Sequence, residues 1–488
     1  MKQKYLKITL LFFIGINVLF SQENIAELKI PNFPNRESVT QSLILESETN
    51  NFMLLLTNNE NLMAFTFNTA GKVDQQYIFP NHNDQPYENF IGSIQKENGD
   101  YELYYTNSNQ KKILSLILNI KEKKELFTKI DFKIPSKEQF LTSINLKDQI
   151  VFLTATKRSN LLNIYYLKEN NITKKTIDFS KETFFKGTNT KVDFYSMLLN
   201  SHNKLDVDKI IPETPTSLEV TSKIAKIYPQ GDHIIITCDQ NKLYTQILTI
   251  NLRSLAYSKK EIKKTEFGIE NAKIHKTNTL LYGNTLISIA TTYEKCKFSF
   301  IDILTNTLKK EMIFTKDDDH INFANSLIIQ KNGFYNNNRV LEKPNQLLRK
   351  MNDGEIGISL FEVNDNKYIK IGALKEMKTG GGLGIGFGFN AFPVSIGSMP
   401  FGLTPYMGTF LNYTKTRASY FTSVFTNSFD YIENAEATGF KNIFDKIEDF
   451  KESYSKEINA ENLSKIGKSF LFGYFNKKEN TFYIKKFN

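Results

Sequence analysis

An all-β chain folded as a β-propeller of about seven four-stranded blades, six to eight being allowed, is what this sequence predicts. Three observations predict it. A strand-like segment ending in threonine returns roughly every 50 residues, a period that propeller blades share. Each copy sits within a set of four strand-like runs, the number in one blade. The first residues after a leader-like start echo an outer run of the repeat, so they are placed to complete the last blade.

The threonine-ended segments are Phe52–Thr57, Tyr101–Thr106, Ile150–Thr154, Ile234–Thr237 and Leu286–Thr291. Their starts give steps of 49, 49, 84 and 52 residues. Apart from Glu102 and Ser288 they are apolar up to the threonine, as expected of a strand covered on both faces. The runs before them are Leu43–Leu45, Phe90–Ile94, Phe140–Ile144, Ile224–Tyr228 and Ile274–Leu280. The runs after them are Leu62–Phe67, Ile113–Ile120, Leu161–Leu167, Leu243–Leu252 and Phe298–Leu304. A more polar fourth run ends each unit: Val73–Phe79, Glu125–Phe132, Lys174–Phe179, Ser258–Ile262 and Lys309–Phe314. The long step holds an insertion at 181–220 that carries Pro212 and Pro215.

A sixth unit is expected from Ser326–Gln330, Gly333–Tyr335, Ile356–Val363 and Tyr368–Leu374, and a seventh from Tyr420–Phe425, Phe470–Phe475 and Thr481–Phe487. The last two runs flank Asn476–Asn480 as a hairpin. The seventh unit lacks a fourth strand, and Ile25–Phe33 is expected to supply it and close the ring, which removes an open edge. This gives blades over 23–377, a Gly/Phe-rich insertion at 378–416, and a last blade over 417–488. That blade carries a helical insertion at 436–466, where Phe440, Ile443, Phe444, Ile447 and Phe450 keep helical spacing and Gly467 is a stop signal. Two β-sandwiches are the competing arrangement. An outer-membrane barrel fits less well, because these strands are shorter than its ~9–11 residues and their connections are heavily charged.

Residues 1–22 read as a signal peptide: Lys2, Lys4 and Lys7 precede an apolar run at Ile8–Phe20, and Ser21 and Gln22 follow. A run this short does not span ~30 Å of hydrocarbon as a stable anchor, although an uncleaved anchor is the alternative. Cleavage removes three lysines and no acid, lowering the formal charge from +10 to +7. No later stretch is apolar enough to cross a membrane, so the mature chain is expected to be soluble. Export places it in the periplasm, on the outer cell surface or in the medium.

The chain has 488 residues, including 40 Phe and 23 Tyr, enough apolar surface for large cores. Its basic excess is spread along the chain rather than gathered in a stripe, which excludes nucleic acid as a partner. Lysine pairs such as Lys111-Lys112 and Lys174-Lys175 are expected at strand ends, where like charge discourages edge pairing. Cys238 and Cys296 fall in strand-like runs without metal-site spacing. They are read as two reduced thiols or, in an oxidising compartment, a bridge.

The pattern resembles secreted β-propeller proteins over residues 25–375. The Phe-Ser-Gln boundary and the Lys/Asn/Ile-rich composition resemble exported proteins of flavobacteria-like Gram-negative bacteria. The resemblance is architectural. With no Trp in the chain, neither a Gly-His…Trp-Asp pair nor a sialidase-type Asp-box can occur.

The search for chemistry returns no catalytic, metal or cofactor assignment. His82, His202, His233, His275 and His320 form no HxxxH or HExxH pair. Asp317-Asp318-Asp319-His320 lacks calcium-loop spacing and reads as a solvated turn. No serine sits in a GxSxG elbow. In 379–402 the glycines alternate with apolar residues but miss the phosphate-binding spacing. Phe387, Phe389, Phe392, Phe401 and Tyr406 are the candidate contacts of an exposed apolar loop with a partner. Close packing of bare backbone is the competing account of these glycines. The expectation is an exported, non-catalytic propeller that binds an unknown protein, peptide or glycan. A propeller hydrolase or lyase acting on polysaccharide is the first alternative, and a structural or adhesion protein the second.

Overall fold

The computed structural model describes residues 22–30, 39–46, 51–58, 61–68, 70–80, 89–107, 112–130, 132–211, 213–264, 276–332, 338–374, 404–415, 417–437, 441–454 and 458–488. It is a β-propeller of seven sheets of four or five strands, almost all antiparallel. The first sheet is Gln41–Glu46, Phe52–Thr57, Asn61–Phe67 and Val73–Pro80; the second is Asn89–Gln95, Tyr101–Thr106, Ile113–Asn119 and Lys124–Ile130. The third is Glu138–Asn145, Ile150–Thr156, Leu161–Lys168 and Asn171–Asp178. The fourth holds Ala225–Gln230, His233–Cys238, Tyr244–Asn251 and Tyr257–Lys263, and the fifth Lys276–Tyr282, Thr285–Thr291, Lys295–Asp302 and Thr307–Thr315. Among the described residues five short helices interrupt them: α1 (Phe194–Met197), α2 (Leu218–Thr221), α3 (Pro344–Asp353), α4 (Pro405–Lys415) and α5 (Ile443–Ser453).

The residue pattern dictates this layering. Phe52–Thr57 and Thr285–Thr291 are buried at every position, whereas the outer strand Asn171–Asp178 is exposed at most of its positions. A strand apolar on both sides needs a neighbouring sheet on each. The threonine that marks these strands is buried at 57, 154, 237 and 291, where the chain turns toward the third strand. Asn58 and Asn107 cap that turn by accepting the amides of Asn61 (2.6 Å) and Lys112 (2.9 Å), and Thr292 does so for Glu294 and Lys295 (both 3.1 Å).

The chain divides into two compact units. One comprises Met1–Asp84, Leu118–Glu125 and Asp445–Asn488. Here the first sheet shares a core with the seventh, built of Ile44, Leu54, Met63 and Phe65 against Leu471, Phe475, Phe482 and Ile484. The seventh sheet runs Gln22–Lys29, Thr481–Phe487, Ser469–Asn476, Ile458–Ile466. Its first ladder extends from Gln22 opposite Phe487 to Lys29 opposite Thr481, and Asn480 Nδ2 donates to Ile30 O at 2.9 Å. The pairing begins three residues before Ile25, and 31–33 lie outside the described residues.

The other unit comprises Gln85–Ile117 and Leu126–Phe444. Its sheets share cores in chain order: second with third through Ile94, Tyr104, Phe152 and Tyr165, third with fourth through Leu153, Ile164, Ile236 and Leu248. A third core spans the fourth, the fifth and the sixth, whose strands run in the order Arg339–Leu341, Ile328–Asn332, Arg417–Phe425, Asn366–Leu374 and Glu355–Val363, through Ile247, Ile287, Phe298 and Ile358. Arg253 adds a surface clip between the third and fourth sheets, with Nη2 3.2 Å from Asp148 and Nε 2.7 Å from Asp232.

Four sequence expectations need correction. Tyr420–Phe425 is not in the seventh sheet. It lies in the strand Arg417–Phe425, which enters the sixth sheet between Ile328–Asn332 and Asn366–Leu374, because Phe421 packs on Phe314 and Phe425 on Phe300 of the fifth sheet. Of the helix expected over 436–466, the described residues show α5 alone, with 438–440 (including Phe440) and 455–457 outside the described residues, and Ile458–Ile466 is a strand. Asn462 holds that strand to the first sheet, its Nδ2 donating to Ser42 O (3.0 Å) and its Oδ1 accepting from Ile44 N (3.3 Å). Gly467, at φ 57°, turns this strand into the next and stops no helix. The lysine pair 174-175 sits mid-strand: Lys174 binds Glu138 at 2.6 Å and Lys175 lies over the Tyr166 ring. The equivalent Lys260 reaches the fifth sheet, donating to Leu304 O at 3.2 Å.

Removing residues 22–29 is expected to leave Thr481–Phe487 as a bare edge, so the truncated chain should aggregate. Size-exclusion chromatography checks this, with an unchanged elution profile as the contrary result.

Candidate functional site

Phe387, Phe389, Phe392 and Phe401 lie outside the described residues. Tyr406 is half-buried on α4, so this part of the expected loop is helix. Met407, Phe410 and Tyr413 pack that helix inward. Lys370 of the sixth sheet donates to Tyr413 Oη at 2.6 Å, and its ammonium lies 4.8, 5.3 and 5.5 Å from the ring centres of Tyr413, Tyr420 and Phe361. Such cation–π contacts contribute ~0.5–2 kcal/mol each. His202, His233 and His320 are exposed, while His82 and His275 lie outside the described residues. Asp318 accepts from Thr315 N at 2.7 Å, closing a turn. Among the described residues no group of three His, Cys, Asp or Glu is placed to hold a metal ion. Cys238 and Cys296 are both buried and unbridged. Burial pushes the Cys238 thiol up to about 12, and the thiol donates to Met197 O at 3.1 Å.

The densest polar group is one that sequence reasoning missed. Lys226 begins the inner strand of the fourth sheet, Asp239 follows its threonine-marked strand, and Lys264 follows its outer strand. The meander returns these three points to one end of the sheet. Both lysine side chains are fully buried, and that of Asp239 is 2% exposed. Lys226 Nζ lies 3.1 Å from Asp239 Oδ2 and donates to Asn278 Oδ1 (2.8 Å) and Lys223 O (2.7 Å). Lys264 Nζ lies 3.0 Å from Asp239 Oδ1 and donates to Asn241 O (2.8 Å) and Thr277 Oγ1 (2.9 Å). Asp239 also accepts from Thr245 Oγ1 (2.9 Å) and from the amide of Thr279 (2.9 Å). Burial pushes the Asp239 carboxyl up, but the two ammonium groups outweigh it and hold the pKa at about 2. Lys264 is displaced downward by burial against the pull of Asp239. The ammonium hydrogens are consumed, so the group binds the fourth sheet to the fifth and offers no reactive atom. Two residues did carry a signal: a lysine inside an apolar strand, and an aspartate where other sheets place a turn-capping asparagine or threonine.

Beside this group, the insertion places chain against the inner strands. Val207–Lys209 pairs in parallel with Ala225–Gln230, and Ile210 N donates to Ile227 O at 2.9 Å. Lys209 Nζ donates to Ser143 O of the third sheet at 2.8 Å, and removal from water pushes its pKa down to about 8. Thr216 meets the sixth-sheet strand Glu355–Val363: its Oγ1 accepts from Leu360 N at 2.9 Å and its carbonyl accepts from Ser359 Oγ. Lys223 is pushed down by burial, but Asp206 (3.4 Å), Asp208, Glu355 and Glu219 outweigh this and raise it.

No family model matches the chain, and no curated protein matches it. Solved structures similar to it include the Nup133 β-propeller domain of Vanderwaltozyma polyspora, with 9% identity and a TM-score of 0.30 over 91% of this chain and 93% of that one. A variant of Synechocystis apocarotenoid oxygenase has 7% identity and a TM-score of 0.27, covering 58% of this chain and 63% of its own. Prolyl oligopeptidase B from Galerina marginata has 9% identity and a TM-score of 0.26, covering 70% and 48%. This chain therefore spans about three fifths of the oxygenase structure and half of the oligopeptidase. The propeller assignment rests on the sheet order and register above.

Asp239→Asn is expected to leave two buried ammonium groups without their counter-charge and to cost ~3–5 kcal/mol, read as a lowered urea midpoint. In the parent chain, the depressed carboxyl contributes stability that is present above about pH 4 and lost as pH falls toward 2. The loss is about 2 kcal/mol. Lys209 acts in the other direction: its unfavourable charge is relieved as pH rises from about 8 toward the ordinary lysine range, so stability gains there. Urea titrations across pH check both signs.

Proposed function

We propose that this chain is an exported, non-catalytic β-propeller that binds a protein, peptide or glycan. The observation that supports this reading is the fate of its strongest polar cluster. Lys226, Asp239 and Lys264 are enclosed and hydrogen-bonded between two sheets, where they add rigidity rather than chemistry. A rigid scaffold with many connecting loops suits recognition. The Gly/Phe-rich segment 379–402, with Phe387, Phe389, Phe392 and Phe401, is the proposed contact region, and Tyr406 stands on the helix that follows it. No helix among the described residues is long and apolar enough to cross a membrane. Export rests on the leader-like residues 1–22, and the final address is the periplasm, outer surface or medium.

Amino-terminal sequencing of the native protein should begin at Glu23; a membrane-bound chain retaining residues 1–22 would refute export by cleavage. Incubation with polysaccharides should release no reducing ends. Release of reducing ends by the purified chain would instead favour the hydrolase alternative. The structural or adhesion alternative requires that deleting 379–402 abolish surface attachment, and unchanged attachment would exclude it.

A further inference from the structure

The unit containing the second to sixth sheets has one parallel ladder among its described residues. Every other described ladder of that unit is antiparallel, whereas Val207–Lys209 lies parallel to Ala225–Gln230. The two strands are separated by a stretch that contains α2. The inner strands of the second, third and fifth sheets (Asn89–Gln95, Glu138–Asn145 and Lys276–Tyr282) end their ladders with no further strand. Only the fourth has a fifth strand laid along its inner edge.

The same segment makes a second backbone docking. Thr216 N donates to Leu360 O at 3.4 Å, and Leu360 N returns a bond to Thr216 Oγ1 at 2.9 Å. One turn later, α2 lies against Gly357. A β-carbon there would sit 2.8 Å from Leu218 O and 3.3 Å from Ser222 N, so the missing side chain is what permits this approach. Residues 206–211 therefore lie along the inner edge of the fourth sheet as an extended chain does in strand addition, and 213–222, which end in α2, dock on the sixth. Main-chain bonds and the buried Val207, Ile210, Leu218 and Val220 hold the segment, and two side chains (Lys209 to Ser143 O, Lys223 to Asp206) fix its register.

We infer that this segment is a built-in ligand, and that the inner edges of Ala225–Gln230 and Glu355–Val363 form a site for an extended peptide that must displace it. The inference deepens the binding reading above and rests on it for the biological use of the site. Main-chain recognition accepts any extended peptide that presents amides and carbonyls at strand spacing, which makes peptide, rather than glycan, the ligand class here. A covalently attached occupant enjoys a high effective concentration, so an outside peptide binds the intact chain weakly until the segment is loosened.

Hydrogen exchange of the full chain is the first test. Local release predicts that the amides of Ile210 and Thr216 exchange at least ~100-fold faster than those of Ile236 and Leu248 in the fourth sheet. Equal rates would mean the segment leaves only by global unfolding and would overturn the inference. The second test uses a synthetic peptide of residues 205–222 as the probe. Gly357→Ala, which crowds Leu218 O, is expected to bind it saturably and at least ~10-fold more tightly than the parent chain. No saturable binding to a Gly357→Ala chain with an unchanged β-sheet spectrum would also overturn it. Should that variant fail to fold, the exchange measurement decides alone. A parent chain that binds an outside glycan while failing both tests would retain the proposed function and lose only this site.

Discussion

A sheet that is apolar on both faces has no stable existence alone, and this requirement organises the whole chain. Phe52–Thr57 and Thr285–Thr291 have no position that faces water. Within each unit the sheets cover one another, which is why the cores run across sheet boundaries rather than within sheets. The outer strands escape the requirement and carry the charge. Their lysines then serve a second purpose, reaching carboxylates in their own sheet or carbonyls in the next.

Charged groups inside such a stack are stable only when partnered, since an unpaired buried charge costs several kcal/mol. Lys226, Asp239 and Lys264 meet that condition by drawing on three strand ends of the fourth sheet and on Thr279 and Asn278 of the fifth. The group fixes two sheets in one relative position, where apolar contacts alone would tolerate sliding. The insertion extends the same rule: its backbone is satisfied by the inner strands it lies on.

The repeat was legible because double-sided burial writes itself as an unbroken apolar run, and the turn after it demands a threonine or a capping side chain. Two elements were misread for identifiable reasons. Arg417–Phe425 carries an ordinary strand pattern, but nothing local says that it joins Asn366–Leu374 after a long excursion rather than opening the next sheet. Ile458–Ile466 has its alternation broken by a bulge at Asn459–Asn462, with Ala460 at φ 50°, so its polar residues mimic a helix surface. The buried lysine–aspartate group was hidden for another reason. Its members stand 13 and 25 residues apart in sequence, and only the meander brings them together.

The ladder between Gln22–Lys29 and Thr481–Phe487 joins the earliest-made of the described strands to the last. Loop-closure entropy grows slowly with the length of the intervening chain, so the separation itself is a modest thermodynamic burden. Its weight falls on timing. The seventh sheet cannot be completed until Thr481–Phe487 has been made, and until then the opening strand waits without its partner. Whatever keeps it from pairing elsewhere during that interval governs the yield of native protein.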